Sequence, residues 1–298
     1  MPTARLHVLF AAVFFGTTGT AQALGPDGTD PVGVGAARIL VGGVLLVGVA
    51  LLSKGAFRGP WNPRHVCAAV AGVAVYQLAF FAAVDSTGVA VGTIVALGSA
   101  PTIAGLFEWG LERRRPEPRW VVATALACGG VVLLALSGGE ASVSPLGVAL
   151  AVTAGGAYAA YTLAAKRMLA AGHGPEPVMA VAFGLGAVVL LPALALSGPG
   201  WLARPDGIAL ALFLGIVPTA LAYVLFARGL RRLSASETAT LTLAEPLTAG
   251  VLGAVVLAEA MTAGSAAGAA LVLGGLLVLG VRLPRPAPAV ATADRLAG

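Results

Sequence analysis

The stretch Thr238–Glu259, TATLTLAEPLTAGVLGAVVLAE, decides how the rest of the chain is read. It is as apolar and as long as a bilayer crossing requires, about 20 residues, yet Glu245-Pro246 stands near its middle. A carboxylate at the centre of a lipid-spanning helix costs about 2.5–3.5 kcal/mol on insertion scales. Proline removes a backbone donor and opens the turn before it, so the Thr242 carbonyl is expected to lose its helical partner. Hydrocarbon supplies no substitute, and such a break has to face protein or water. Thr238, Thr242 and Glu245 follow i, i+4, i+7 spacing and so share one face. A polar stripe beside a broken turn predicts a helix that lines a cavity.

Composition extends this reading to the whole chain. Of 298 residues, 58% are hydrophobic and 10% charged, with a mean hydropathy of +0.93. Soluble domains carry about 25% charged residues, so this chain has too few polar groups to coat a water-soluble globule. It reads as an all-α integral membrane protein. Apolar runs between Gly, Pro and charge breaks predict ten spans, near 6–24, 32–52, 65–84, 87–107, 119–137, 146–166, 177–197, 207–227, 236–257 and 265–281. The tail, 283–298, is rich in Pro and Ala and is expected to be disordered and cytoplasmic. Arg5, His7 and an apolar run ending Ala21-Gln22-Ala23 imitate a signal peptide. The repeat described below needs that run as a member, so it is kept as a span.

The basic residues are a topology signal. With the N-terminus inside, 16 of the 18 Lys and Arg fall in segments on the cytoplasmic side, leaving Arg204 in an outer loop and Arg38 within the second span. Asp27, Asp30, Asp85, Glu140 and Asp206 fall outside. Both termini are therefore expected in the cytoplasm, with the chain in the inner or plasma membrane. The pI near 9.8 needs no nucleic-acid partner to explain it. Cys67 and Cys128 lie inside apolar spans without C-x-x-C spacing and read as packing residues. Trp61, Trp109, Trp120 and Trp201 sit at span ends and read as interface anchors.

Sliding the chain against itself by 145 residues aligns Thr93 with Thr238, Pro101 with Pro246, Gly105 with Gly250 and Gly129-Gly130 with Gly274-Gly275. The chain thus reads as two five-span halves, 1–140 and 141–282. An odd number of crossings inverts the second half. Inverted halves with a break at matching positions point to a transport site at their interface near midplane; the plainer alternative is a duplication that serves assembly alone. Glu245 aligns with Ala100 and Thr242 with Leu97. The first half manages its proline without an acid, which favours a functional role for Glu245.

The run LAEPLTAGVLGAVVLAEAMTAGSAAGAALVLGG, its partner ALGSAPTIAGLFEWGLERRRPEPRWVVATALACGG and GAARILVGG in the second span resemble the EamA family of the drug/metabolite transporter superfamily. The resemblance covers nearly the whole chain. It implies ten helices around a central cavity and export of amino acids, their derivatives or other small metabolites. Phe15-Gly16 stands where many relatives have Trp-Gly, which leaves the aromatic contact from the first span open.

Glu245 is the main candidate for binding a substrate ammonium or a coupling proton. Arg38 lies about 10 Å deep from the outer side and Glu245 about 15 Å from the inner side, at 1.5 Å per residue. Facing one cavity, they would suit a zwitterion, the Arg taking a carboxylate and the Glu an ammonium. Alternatively Arg38 snorkels outward or pairs with Glu245. Further candidates are Thr238, Thr242, Tyr158, Tyr161, Tyr76, Gln77, Thr18 and Tyr223, each also readable as a helix–helix hydrogen bond. Pro101 and Pro246 are the expected hinges, whereas Pro192 and Pro218 read as simple kinks. Gly264 and Gly268 form a G-x-x-x-G for close packing, within the chain or between copies. No H-E-x-x-H or phosphate-loop motif is present, so no metal, cofactor or ATP drive is expected.

The sequence therefore predicts a secondary transporter working by alternating access on a small molecule, with protons as a candidate coupling ion. Uncoupled or inward permeation is the main rival, and a non-transporting sensor or assembly subunit a lesser one. A membrane enzyme would need a nucleophile or metal cluster that the chain does not offer. Substrate, direction and oligomeric state are not legible.

Overall fold

A computed structural model describes residues 2–53, 56–113, 115–136, 144–258 and 262–280. Every regular element among them is helical. The helices are α1 (Pro2–Ala23), α2 (Pro31–Leu51), α3 (Pro63–Glu112), α4 (Pro118–Leu136), α5 (Pro145–Ala170) and α6 (Pro175–Leu196), then α7 (Pro205–Gly215), α8 (Ala222–Leu230), α9 (Ala235–Leu241), α10 (Ala244–Val256) and α11 (Ala263–Gly280). Seven helical stretches are long and apolar enough to cross a membrane, and Pro118–Leu134 and Ala263–Leu279 are shorter apolar helices. The tail at 283–298 lies outside the described residues.

Local sequence sets the starts. Proline opens the first seven of these helices, where its missing N–H costs nothing and its fixed φ suits the first turn. Asp30, Ser144 and Ser234 accept from the backbone N–H of Gly33, Gly147 and Glu237, capping α2, α5 and α9.

Helical geometry persists through all 50 residues of α3, yet α3 is not one rod. A Cβ on Gly92 would lie 3.1 Å from the Cα of Val84, whereas residues eight apart on a straight helix are separated by about 12 Å. The chain doubles back between them. Neighbouring turns of α5 accordingly touch both limbs. Gly72 packs against Ala157 and Tyr161, and Gly155 against the Ala96 carbonyl and Ala100.

Glycines set the closest approaches elsewhere. Gly130 on α4 faces Gly268 and Val272 on α11, and Gly275 on α11 faces Ala123 and Ala127 on α4. These two contact sets interchange under the 145-residue offset. The G-x-x-x-G at Gly264–Gly268 thus packs at Gly268 within the chain. Between α7 and α8, Ile216–Leu221 forms a π-helical turn around Pro218, so Pro218 belongs to a widened turn and is no simple kink. α6 runs unbroken through Pro192.

At Glu245-Pro246 the expected break is present, and its details differ from expectation. α9 ends at Leu241 and α10 begins at Ala244. The Thr242 carbonyl is not orphaned: it accepts from the Glu245 N–H at 2.9 Å. A three-residue bond replaces the four-residue bond that proline forbids. Pro101, by contrast, lies within continuous helix.

Two of the four tryptophans turn inward and are not interface anchors. Trp201 is 7% exposed, and Trp120 donates to Thr240 Oγ1 at 3.0 Å. Trp61 stacks on His173, while Trp109 stays exposed. Cys67 is also exposed rather than packed.

Candidate functional site

Phe15 on α1, Arg38 on α2, Tyr76, Leu97 and Ala100 on the two limbs of α3, and Tyr158 on α5 border one cavity with Tyr223, Ala239, Thr242, Leu243 and Glu245. Its enclosed volume is small, about 30 Å³. Its aromatic wall is continuous. Tyr223 lies 4.9 Å from Phe15 and 4.0 Å from Phe183 between ring centroids, and Tyr158 lies 5.8 Å from Tyr76 and 6.2 Å from Tyr161. The π-helical turn ends two residues before Tyr223 and adds the extra residue that shifts its register. A smaller compartment of about 10 Å³ adjoins; Gln77, Tyr161, Phe183, Val73, Gly72 and Ile39 border it, with Arg38, Tyr76, Tyr158 and Tyr223 common to both.

The break positions the acid. Thr238, Thr240 and Thr242 each return a hydroxyl to the backbone, at Ser234, Ser236 and Ala239. Such back-bonds bend and weaken a helix. Tyr158 Oη and Thr242 Oγ1 lie 3.4 Å apart and tie the break to α5. Glu245 follows at the start of α10, half-buried and facing the cavity. Arg38 faces the same cavity but forms no ion pair with it. Its Nη2 donates instead to Gln77 Oε1 at 3.3 Å. Arg38 is half-buried, with a buried Nε, so it neither snorkels outward nor neutralises Glu245 by contact. Two opposite charges thus share one enclosure, apart.

The structure brings together eight of the ten candidates: Glu245, Arg38, Thr242, Tyr158, Tyr76 and Tyr223 at the larger compartment, and Gln77 and Tyr161 at the smaller. Tyr161 donates to Met179 Sδ at 3.1 Å. Two candidates stand apart. Thr238 is fully buried, returns its hydroxyl to the Ser234 carbonyl and borders neither compartment. Thr18 is half-buried on α1 and also borders neither.

A second polar assembly went unread in the sequence. Glu108, near the end of α3, is 9% exposed; its carboxylate accepts from the Ala235 N–H at 2.6 Å and, in a short bond, from Ser236 Oγ. Arg5 pairs with Glu237 at 2.8 Å. Arg119 donates to the carbonyls of Val278 and Leu279, and Lys166 to that of Leu230. Arg228 pairs with Glu176. All these contacts gather at the end of the bundle holding the start of α1 and the ends of α8 and α11. Trp120 and Thr124 both meet Thr240 on α9. The sequence signal for Glu108 is an acid at the end of an apolar run, next to arginines that count only toward the cytoplasmic side.

A model of the EamA-like transporter family matches residues 3–136 and again 145–281. The uncharacterized transporter YwfM of Bacillus subtilis is 41% identical over 274 residues, 92% of each chain. The threonine/homoserine exporter RhtA of Escherichia coli is 31% identical over 268 residues, 88% of this chain and 85% of RhtA. A solved crystal structure superposes with a TM-score of 0.79 at 22% identity, covering 93% of this chain and 96% of its own, which shows a shared fold. With both halves matched and relatives so similar along their length, the chain is a multi-pass membrane protein that belongs to the EamA-like transporter family.

Proposed function

We propose that this protein exports a small metabolite, an amino acid or a related or drug-like compound, by alternating access across the cytoplasmic membrane, with Glu245 carrying a proton or a substrate ammonium. The observation that carries the reading is an acid and a guanidinium facing one cavity without neutralising each other. Separated charges in a low-dielectric enclosure are costly, and a bound molecule of complementary charge removes that cost. The 31% identity to a threonine/homoserine exporter favours amino acids as the first compounds to try.

The proposed architecture has ten crossings, taking the limbs of α3 as two and α4 and α11 as one each, in inverted halves 1–140 and 141–282. The interchange of Gly130–Gly268 with Gly275–Ala123 under a constant offset supports a twofold relation, as does the separate family match in each half. The arginine-rich end is taken as cytoplasmic by the positive-inside rule, with both termini there. Loading then requires that Glu108 release α9 and that Arg5 part from Glu237, with Leu243 and Pro246 as the flexing point.

Counterflow in proteoliposomes tests this, with radiolabelled threonine, homoserine, leucine and phenylalanine after a thermal-shift screen of the purified protein. Exchange that depends on the trapped compound supports the carrier. A protein that is stabilised by none of the compounds and exchanges none overturns it.

A further inference from the structure

Gln77 is 1% exposed, and its Nε2 has no hydrogen-bond partner; the buried Nε of Arg38 has none either. Arg38 offers only donors, so the Gln77 amide must turn its oxygen toward the guanidinium and its NH₂ away. The contact from Arg38 Nη2 to Gln77 Oε1 fixes this orientation. The amide packs closely against Gly35, where any side chain would collide with Nε2. Two neighbouring N–H donors are thus held in place with no acceptor, and buried donors are rarely left so. Glu245 borders the larger compartment alone, so it cannot serve Gln77, which borders the smaller one. The hydroxyls of Tyr76 and Tyr223, which border both compartments, also lack a hydrogen-bond partner.

We infer that Arg38 and Gln77 form a two-pronged site for a carboxylate of the transported molecule. This rests on the carrier reading above and narrows its substrate class. Arg38 contributes a guanidinium edge and Gln77 an amide edge, and a carboxylate can accept from both at once. A phosphate dianion fits worse: among the described residues Arg38 is the single cation bordering either compartment, and Glu245 offsets it. With the carboxylate at Arg38 and Gln77, a cationic group of the same molecule reaches toward Glu245. The ligand class is a zwitterion with its two charges a few bonds apart. Gln77 contributes specificity, because it rewards a carboxylate and leaves an amide or an amine without that gain.

The test is competition for counterflow in proteoliposomes of the full chain. Labelled threonine, leucine and phenylalanine are the probes; the unlabelled amino acids, their carboxamides and their decarboxylated amines are the competitors. The amides and amines are expected to compete about tenfold or more weakly, the effect of losing a charged hydrogen-bond partner. Q77L should reduce the amino acid to the level of its amide and leave the amide unchanged. Q77E, which sets a resident carboxylate on Arg38, should abolish amino-acid exchange. Thermal unfolding of each variant verifies that it is folded. Equal competition by amides and amines on the wild type overturns the inference and leaves the carrier standing, as does an equal loss for acid and amide in Q77L. Exchange of none of the labelled compounds overturns both.

Discussion

Two prolines stand at matching places in the two halves, and the helices around them behave differently. At Pro101 the second limb of α3 stays helical from the turn near Val84 to Glu112. At Pro246 the helix divides into α9 and α10, and the division falls at Thr242–Leu243, ahead of the proline itself. A missing N–H is common to both, so it cannot be the whole cause. The difference lies upstream. Thr238, Thr240 and Thr242 each spend a hydroxyl on a backbone carbonyl, while their counterparts at the 145-residue offset are Thr93, Val95 and Leu97. Side-chain oxygens that compete for helix carbonyls loosen the turn that proline then cannot restore. The acid sits where this loosening occurs. Ala100, its counterpart, borders the same cavity and packs against Gly155 on α5, but brings no charge to it.

The sharpest test of this asymmetry is Glu245→Gln, which keeps shape and removes charge. Counterflow is expected to fall by about 100-fold, as for loss of a charged hydrogen-bonding group, with the unfolding temperature unchanged. Flux and pH dependence like those of the wild type would remove Glu245 from the mechanism. Next come the prolines. Pro246→Ala should lower exchange by about tenfold by stiffening a hinge, whereas Pro101→Ala should leave it within about twofold. Equal effects would mean that both halves flex alike and that the comparison misleads. Glu108→Gln provides a smaller, structural effect. The amide keeps an oxygen for the Ala235 N–H and turns its NH₂ to Ser236 Oγ as acceptor, so two charge-assisted bonds become neutral ones, which should cost about 1–2 kcal/mol. It should appear as a lower unfolding temperature. The smallest change is expected from Thr240→Val. It removes one back-bond and the partner of Trp120 and Thr124, worth about 1 kcal/mol, and should slow exchange slightly if α9 straightens.

Much of this arrangement could be read from residue types alone. Membrane residence follows from charge scarcity, helix starts from Asp-Pro, Asn-Pro and Ser-Pro pairs, and the cavity-facing acid from its cost in lipid. Many breaks between apolar runs coincide with helix ends, but the runs near 65–84 and 87–107 both fall within α3, which turns so tightly near Val84 and Gly92 that helical geometry never lapses. Partner choice was not legible. Arg38 offered three plausible fates, and the structure gives it a fourth, Gln77. Thr238 shares a face with Glu245 on an ideal helix, yet it borders neither compartment. Trp120 and Trp201 looked like anchors because span ends usually are, but neighbouring helices cover them.

What the chain determines by itself is therefore local and energetic: which segments must leave water, where backbone donors are missing, and which charge is too costly to face lipid. Those follow from single residues and their near neighbours. Only the tertiary structure decided which side chains meet across the bundle, that Glu245 and Arg38 share an enclosure without touching, and that Glu108 holds the start of α9. Such pairings join residues up to 232 positions apart, as Arg5 and Glu237 are. Small rotations and bends of each helix set them, and hydrophobic periodicity fixes those only to within a turn.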